Sequence, residues 1–248
     1  MDGTGKEIKQ MNMKSDVIVA CDFGTPKMAL DFLDKFTDEK PFLKIGMELF
    51  YAGGPEIVRE LRSRGHKIFL DLKLHDIPNT VRKAMRVLSQ LDVDMVNVHA
   101  GGGIDMMHAA LEGLEEGRQG GERPLIIAVT QLTSTSQAVL NDQLLINGNI
   151  NDVITQYAWN AREAGLDGVV CSPLEAAMVK ERCGAEFLAV TPGIRYPDAA
   201  KDDQSRITTP ARAREIGSDF IVVGRPITAA ADPVAAYRKV ASDFLGRN

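Results

Sequence analysis

The segment Lys67-Ile-Phe-Leu-Asp-Leu-Lys-Leu-His-Asp-Ile-Pro-Asn-Thr80 decides how the rest of the chain is read. It starts as an apolar, strand-like run, turns to alternating charges, and meets a proline of the kind that opens a helix. In a strand, successive side chains alternate faces, so Asp71 and Lys73 point one way while Leu72 and Leu74 point the other. A carboxylate and an ammonium on one face of an otherwise apolar strand are costly to bury unless they serve each other or a ligand. An isolated Asp-x-Lys is most simply a structural ion pair. Asp76 at the strand's end, and matching features elsewhere in the chain, favour a ligand.

Seven other runs have the same character: Val17–Asp22, Phe42–Gly46, Met95–His99, Leu125–Gln131, Gly168–Ser172, Phe187–Thr191 and Phe220–Gly224. Each is nearly continuous and rich in β-branched residues, as parallel strands covered on both faces are. Helical periods separate them. Val81, Ala84, Met85, Leu88 and Leu91 trace one helix face, and Val234, Tyr237, Val240, Ala241 and Phe244 trace another. Thr25-Pro26 and Asp232-Pro233 place a capping side chain before a proline at the first helical position.

Eight alternations of strand and helix over about 230 residues predict an α/β protein, a single-domain (β/α)8 TIM barrel. The alternative is an open, doubly wound sheet, but the turn Asp22-Phe-Gly-Thr25 lacks the G-x-G-x-x-G phosphate fingerprint. The barrel is expected over residues 14–248. Residues 1–13, polar and containing Met11 and Met13, are expected to be a disordered extension.

The chain's 248 residues are 44% apolar, enough for one large core, and its net charge is −5 from 29 basic and 34 acidic side chains. A mildly acidic surface argues against nonspecific nucleic-acid binding. No apolar run approaches the roughly 20 residues of a membrane span. Cys21, Cys171 and Cys183 are odd in number and widely spaced, and the histidines His66, His75, His99 and His108 show no ligand spacing with them. A reduced, cytoplasmic, zinc-free protein is expected.

In a barrel, polar residues at the C-terminal ends of strands converge on one mouth. Asp22 ends the first run, Lys44 lies in the second, and Asp71 and Lys73 lie in the third; Gln131 and Thr133 close the fifth. Thr191-Pro-Gly-Ile-Arg195 closes the seventh and Gly224-Arg225-Pro226 the eighth. Loops in the last two positions commonly hold phosphate, and both combine a glycine for close backbone approach with a guanidinium. The order Lys44, Asp71, Lys73, Asp76 predicts a network in which carboxylates keep the lysines protonated, as donors of protons rather than nucleophiles. His99 is read as a hydrogen-bonded core residue. Two long polar stretches, Leu132 to Asn151 and Arg195 to Thr208, are expected as loops on the mouth side.

These residues, with Thr80 and Gln204, resemble the orotidine 5′-monophosphate decarboxylase family of the bacterial type, from about Val17 to the last helix. Asp-x-Lys-x-x-Asp alone is shared with a sister group of magnesium-dependent sugar-phosphate decarboxylases. Asp76-Ile-Pro-Asn-Thr80 and the Pro-Gly-Ile-Arg and Gly-Arg-Pro loops make the resemblance more specific. It implies conversion of orotidine 5′-monophosphate to UMP and CO₂, the last step of UMP synthesis, with no metal or organic cofactor. It also implies a homodimer with shared sites, Asp76 crossing into the partner's site and Thr80 with it. Lys73 would protonate C6, and Asp71 would press on the departing carboxylate. Lys44 and Asp76 would position the tetrad, and Asp22 would bind ribose hydroxyls with help from Lys44. Thr133 would lie near the pyrimidine; Arg195, Gln204, Gly224 and Arg225 would serve the phosphate. The segment Arg195–Thr208 would act as a gate. The rival readings are the magnesium-dependent sugar-phosphate chemistry and a catalytically silent phosphometabolite-binding barrel.

Overall fold

A computed structural model describes residues 15–118, 120, 122–196 and 208–246; the extension expected at 1–13 lies outside them. Eight parallel strands close on themselves in chain order: β1 Asp16–Ala20, β2 Phe42–Gly46, β3 Ile68–Leu74, β4 Met95–His99, β5 Leu125–Val129, β6 Gly168–Val170, β7 Leu188–Thr191 and β8 Phe220–Val223. Pairing of Val17 with Ile221 joins β1 to β8. The TIM barrel expected from the alternation is therefore the fold, and each expected apolar run overlaps one strand.

Alternation along these strands divides the apolar residues between two cores. Ile18, Phe42, Phe69, Met95, Leu125, Ile127, Leu188 and Phe220 fill the barrel interior, where the Phe42 and Phe220 rings meet edge to face at 6.3 Å. Their sequence neighbours, among them Val17, Leu43, Leu70, Val96, Ile126 and Ile221, face the helices. Each buried Phe or Leu contributes about 1.5–3 kcal/mol relative to exposure. Burial on both faces is what makes the runs look continuous in sequence.

The helices are α1 Pro26–Leu33, α2 Met47–Ser63, α3 Pro78–Leu88, α4 Gly103–Gly117, α5 Ile150–Glu163, α6 Ala176–Cys183, α7 Pro210–Ile216, α8 Arg225–Thr228 and α9 Pro233–Leu245. The expected caps are present: Thr25 Oγ1 accepts from the Met28 N–H at α1, and Asp232 Oδ1 accepts from the Ala235 N–H at α9. None of the described helices is long and apolar enough to cross a membrane. The stretch from Leu132 to Asn151 has more order than its polarity suggests. Leu140 is buried in a helical turn, and Gln137 bridges to Asn141, Gly148 and the Ile150 N–H.

A repeated device closes the N-terminal face. Asp94, Asp167 and Asp219, just before β4, β6 and β8, accept the backbone N–H of Ile68, Ile126 and Ala189 at the starts of β3, β5 and β7. Each carboxylate also holds a cation: Arg62, Arg123 and Lys180 respectively. These pairs stitch neighbouring strands at the end of the barrel away from the mouth, where polar residues act on stability.

Candidate active site

The inward-facing period that builds the interior becomes polar one step higher. Two residues beyond Phe42 stands Lys44, two beyond Phe69 stands Asp71, and two beyond Met95 stands Asn97. Asp22, Lys44, Asp71 and Lys73 form a line of alternating charge. Asp22 Oδ1 lies 2.8 Å from Lys44 Nζ, which is 3.3 Å from Asp71 Oδ2; Asp71 Oδ1 lies 2.6 Å from Lys73 Nζ. The Asn97 amide donates to that same Asp71 oxygen at 2.6 Å.

Exposure rises outward along the line, from 10% for the Asp71 side chain and 11% for Lys44 to 26% for Lys73 and 58% for Asp22. The buried middle is thus compensated on both sides, which is the condition for keeping ions there. Burial opposes the Lys44 ammonium, but Asp71 and Asp22 outweigh it and lift its pKa above the ordinary lysine value. Burial likewise pushes Asp71 upward, yet the Lys44 and Lys73 ammoniums, with hydrogen bonds from Lys73 and Asn97, hold its carboxyl below the usual range.

Asp71 and Lys73 share the mouth-facing side, as alternation predicts, but not on a regular strand. The pairing of β3 with β4 runs Phe69↔Met95 and Leu70↔Val96 and resumes only at Leu74↔Val98. Three β3 residues therefore oppose the single residue Asn97, and Lys73 takes the left-handed conformation with φ 53°. For a non-glycine residue that geometry costs about 1–3 kcal/mol, and it occurs at the residue whose ammonium faces the cavity.

The cavity at the mouth encloses about 570 Å³ and is lined by Asp22, Lys44, Asp71 and Lys73 on one side and by Gly193, Arg195, Gly224 and Arg225 on the other. Thr133 and Gln131 line it from the loop after β5. The volume suits a small-molecule ligand. Gly193 has φ 85°, the conformation that turns the chain after β7. The Arg195 N–H then donates to the Thr208 carbonyl, and the Thr208 N–H donates to that of Gly193. Arg195 is 9% exposed, and its guanidinium donates to the Ile194 carbonyl. Residues 197–207, which include Gln204 and most of the expected gate, lie outside the described residues.

Two expected members stand apart within one chain. Asp76 is exposed, its Oδ1 accepting from the Ile77 N–H at 2.6 Å, and Thr80 is exposed on the first turn of α3. Neither lines the cavity. Within one chain the outer carboxylate of the line is Asp22, while Asp76 lies between the end of β3 at Leu74 and the start of α3 at Pro78. His99 does not line the cavity either; burial, then His75 and Lys73, push its pKa down. Thr191 is fully buried and donates to Ser218, tying β7 to the segment before β8. Asn97 has a site role that the sequence reading missed. The available signal was its place in Met95-Val-Asn97-Val-His99, on the same inward period as Lys44 and Asp71. Among the described residues no group of three or more His, Cys, Asp or Glu side chains could hold a metal ion.

Comparisons with known proteins agree in family and in fold. The profile of the orotidine 5′-phosphate decarboxylase / HUMPS family matches residues 15–240. The orotidine 5′-phosphate decarboxylase of Bacillus anthracis is 55% identical over 235 residues, covering 94% of this chain and 99% of its own. That of Bacillus cytotoxicus is 56% identical over the same length and coverage. Among solved structures, orotidine 5′-phosphate decarboxylase from Lactobacillus acidophilus superposes with a TM-score of 0.84 at 43% identity, covering 93% of this chain and 99% of that one. A conserved protein from Geobacillus kaustophilus superposes with a TM-score of 0.83 at 49% identity, covering 92% and 99%.

Proposed function

This chain belongs to the orotidine 5′-phosphate decarboxylase / HUMPS family, and from that premise we propose how its barrel mouth performs the reaction. The reaction is decarboxylation of orotidine 5′-monophosphate to UMP and CO₂ in pyrimidine biosynthesis. When the C6–carboxyl bond breaks, its electron pair stays on C6 in an sp² orbital that the pyrimidine π system cannot delocalise. Stabilisation must come from a fixed positive charge at that carbon. Lys73 supplies it, and transfers an Nζ proton to C6 to complete UMP before recovering a proton from solvent.

The observation that carries this assignment is the Lys73 ammonium, 2.6 Å from Asp71 and lining one cavity with Arg195 and Arg225. Asp71 meets the substrate carboxylate with a charge of like sign, and departure of CO₂ relieves the repulsion. Lys44 holds Asp71 in place and, with Asp22, binds the ribose hydroxyls. Thr133 lies beside the pyrimidine. Arg195, Gly224 and Arg225, with Gln204, take the phosphate, whose binding energy is spent on holding the reacting carbon against Lys73.

The active form is a homodimer in which Asp76 and Thr80 complete the partner's site. Their exposure beside Ile77, itself 67% exposed, supports a surface that a second copy covers. The cytoplasm is the compartment that suits three unbridged thiols, at Cys21, Cys171 and Cys183. The purified protein mixed with orotidine 5′-monophosphate should bring about the ultraviolet change of decarboxylation, equally with and without a chelator. No turnover would overturn the reading, and strict dependence on magnesium would move it to the sugar-phosphate branch.

A further inference from the structure

We propose that Asn97 is a positioning residue for the decarboxylation, a two-sided clamp that holds the Lys73 backbone and the Asp71 carboxylate in one fixed relation. This rests on the assignment of Lys73 and Asp71 given above. The Asn97 side chain is 1% exposed and hydrogen-bonded on both ends: Oδ1 accepts from the Lys73 N–H at 2.8 Å, and Nδ2 donates to Asp71 Oδ1 at 2.6 Å. Chemistry fixes the orientation of the amide. A backbone N–H can only donate and a carboxylate can only accept, so turning the amide over would break both bonds.

The clamp sits where the strand ladder fails. Three residues of β3, Asp71 to Lys73, face Asn97 alone on β4, so Lys73 N–H has lost its ordinary place in the ladder. The Asn97 side chain accepts that N–H in place of a main-chain carbonyl. It thereby secures the left-handed backbone of Lys73, from which the ammonium reaches back to Asp71 at 2.6 Å. The same side chain makes the second contact to the Asp71 oxygen that Lys73 uses, leaving Oδ2 to Lys44. One amide thus fixes both ends of the pair whose separation the reaction depends on.

The charged and titratable groups around this amide are Asp71 and Lys73 on β3, Lys44 on β2, and His99 on β4 with His75 against it; β5 presents the apolar Ile127 in register. Asn97→Asp is therefore an informative isostere. It keeps an acceptor for the Lys73 N–H but sets a second carboxylate against Asp71. At low pH one shared proton restores the donor, and at high pH two like charges remain.

The test measures decarboxylation of orotidine 5′-monophosphate by the parent, Asn97→Ala and Asn97→Asp across pH, with UMP affinity and thermal unfolding as controls. Asn97→Ala should lose about 100-fold in kcat, the scale of a small misplacement of reacting groups, with UMP affinity held within about threefold. Asn97→Asp should gain an acid limb, its activity relative to the parent rising by up to about tenfold for each pH unit as pH falls and the one shared proton is taken up. A folded Asn97→Ala with parental kcat, or one whose loss lies wholly in KM and UMP affinity, would overturn the proposal. If Asn97→Ala does not fold, the Asn97→Asp profile decides, and a profile parallel to the parent's overturns it. Failure of both variants to fold would assign the amide to stability and overturn it as well. An inactive parent would instead overturn the assigned reaction, leaving the two failures distinguishable.

Discussion

At the scale of single residues, the mouth sets a line of alternating charge opposite two arginines. The Asp22–Lys44–Asp71–Lys73 line carries no net charge, so it can be held in a partly buried layer without a counter-ion, while each member remains electrostatically strong. Arg225, across the cavity at the start of α8, is assigned to the substrate's phosphate and so should act through binding. Arg225→Ala should reduce kcat/KM for orotidine 5′-monophosphate by about 10- to 150-fold, the worth of a charge-assisted hydrogen bond at about 1.5–3 kcal/mol. It should change decarboxylation of the phosphate-free nucleoside far less. Parallel kinetics on the two substrates check this, and equal losses would remove Arg225 from the phosphate side.

At the scale of elements, α3 and α4 illustrate how packing outside the barrel bears on the mouth. A Cβ at Gly113 would stand 2.1 Å from the Arg82 carbonyl oxygen, and one at Gly117 would stand 2.2 Å from that of Arg86. Glycine at both positions lets the two helices approach backbone to backbone. α3 begins just after Asp76 and bears Thr80, so its seating sets where those side chains are presented. Gly113→Ala should push α3 outward and destabilise the fold by about 1–3 kcal/mol, the usual cost of overpacking. Chemical denaturation measures the loss, and an unchanged midpoint would show that the helices have slack.

At the scale of the whole molecule, the separation of Asp76 from the mouth of its own chain bears on assembly. In a two-fold dimer with shared sites, an Asp76→Ala chain and a Lys73→Ala chain each lack a different contribution. Mixed dimers would hold one site with both lesions and one with neither. Random reassociation of the two inactive variants in equal amounts should therefore restore about a quarter of parental activity, since half the dimers are mixed and half their sites intact. Mass spectrometry can establish the mixing. Demonstrably mixed dimers without recovered activity would mean that each chain builds its site alone.

The barrel was legible in the sequence because burial on both faces makes every strand a continuous apolar run, and proline with a capping side chain marks helix starts at Thr25 and Asp232. Lys44, Asp71 and Lys73 were legible because a charge inside such a run stands out locally. Asn97 was not, since an uncharged amide in a strand looks unremarkable until its two partners are known. Nor did alternation reveal the bulge that turns Lys73 to φ 53°, because a lost ladder pairing depends on the neighbouring strand. Period and composition are properties of one segment and can be read along the chain. Which carboxylates sit beside Lys44 depends instead on how β1, β2 and β3 pair, and only assembly of the sheet brings Asp22 and Asp71, distant from it in sequence, within reach of its ammonium.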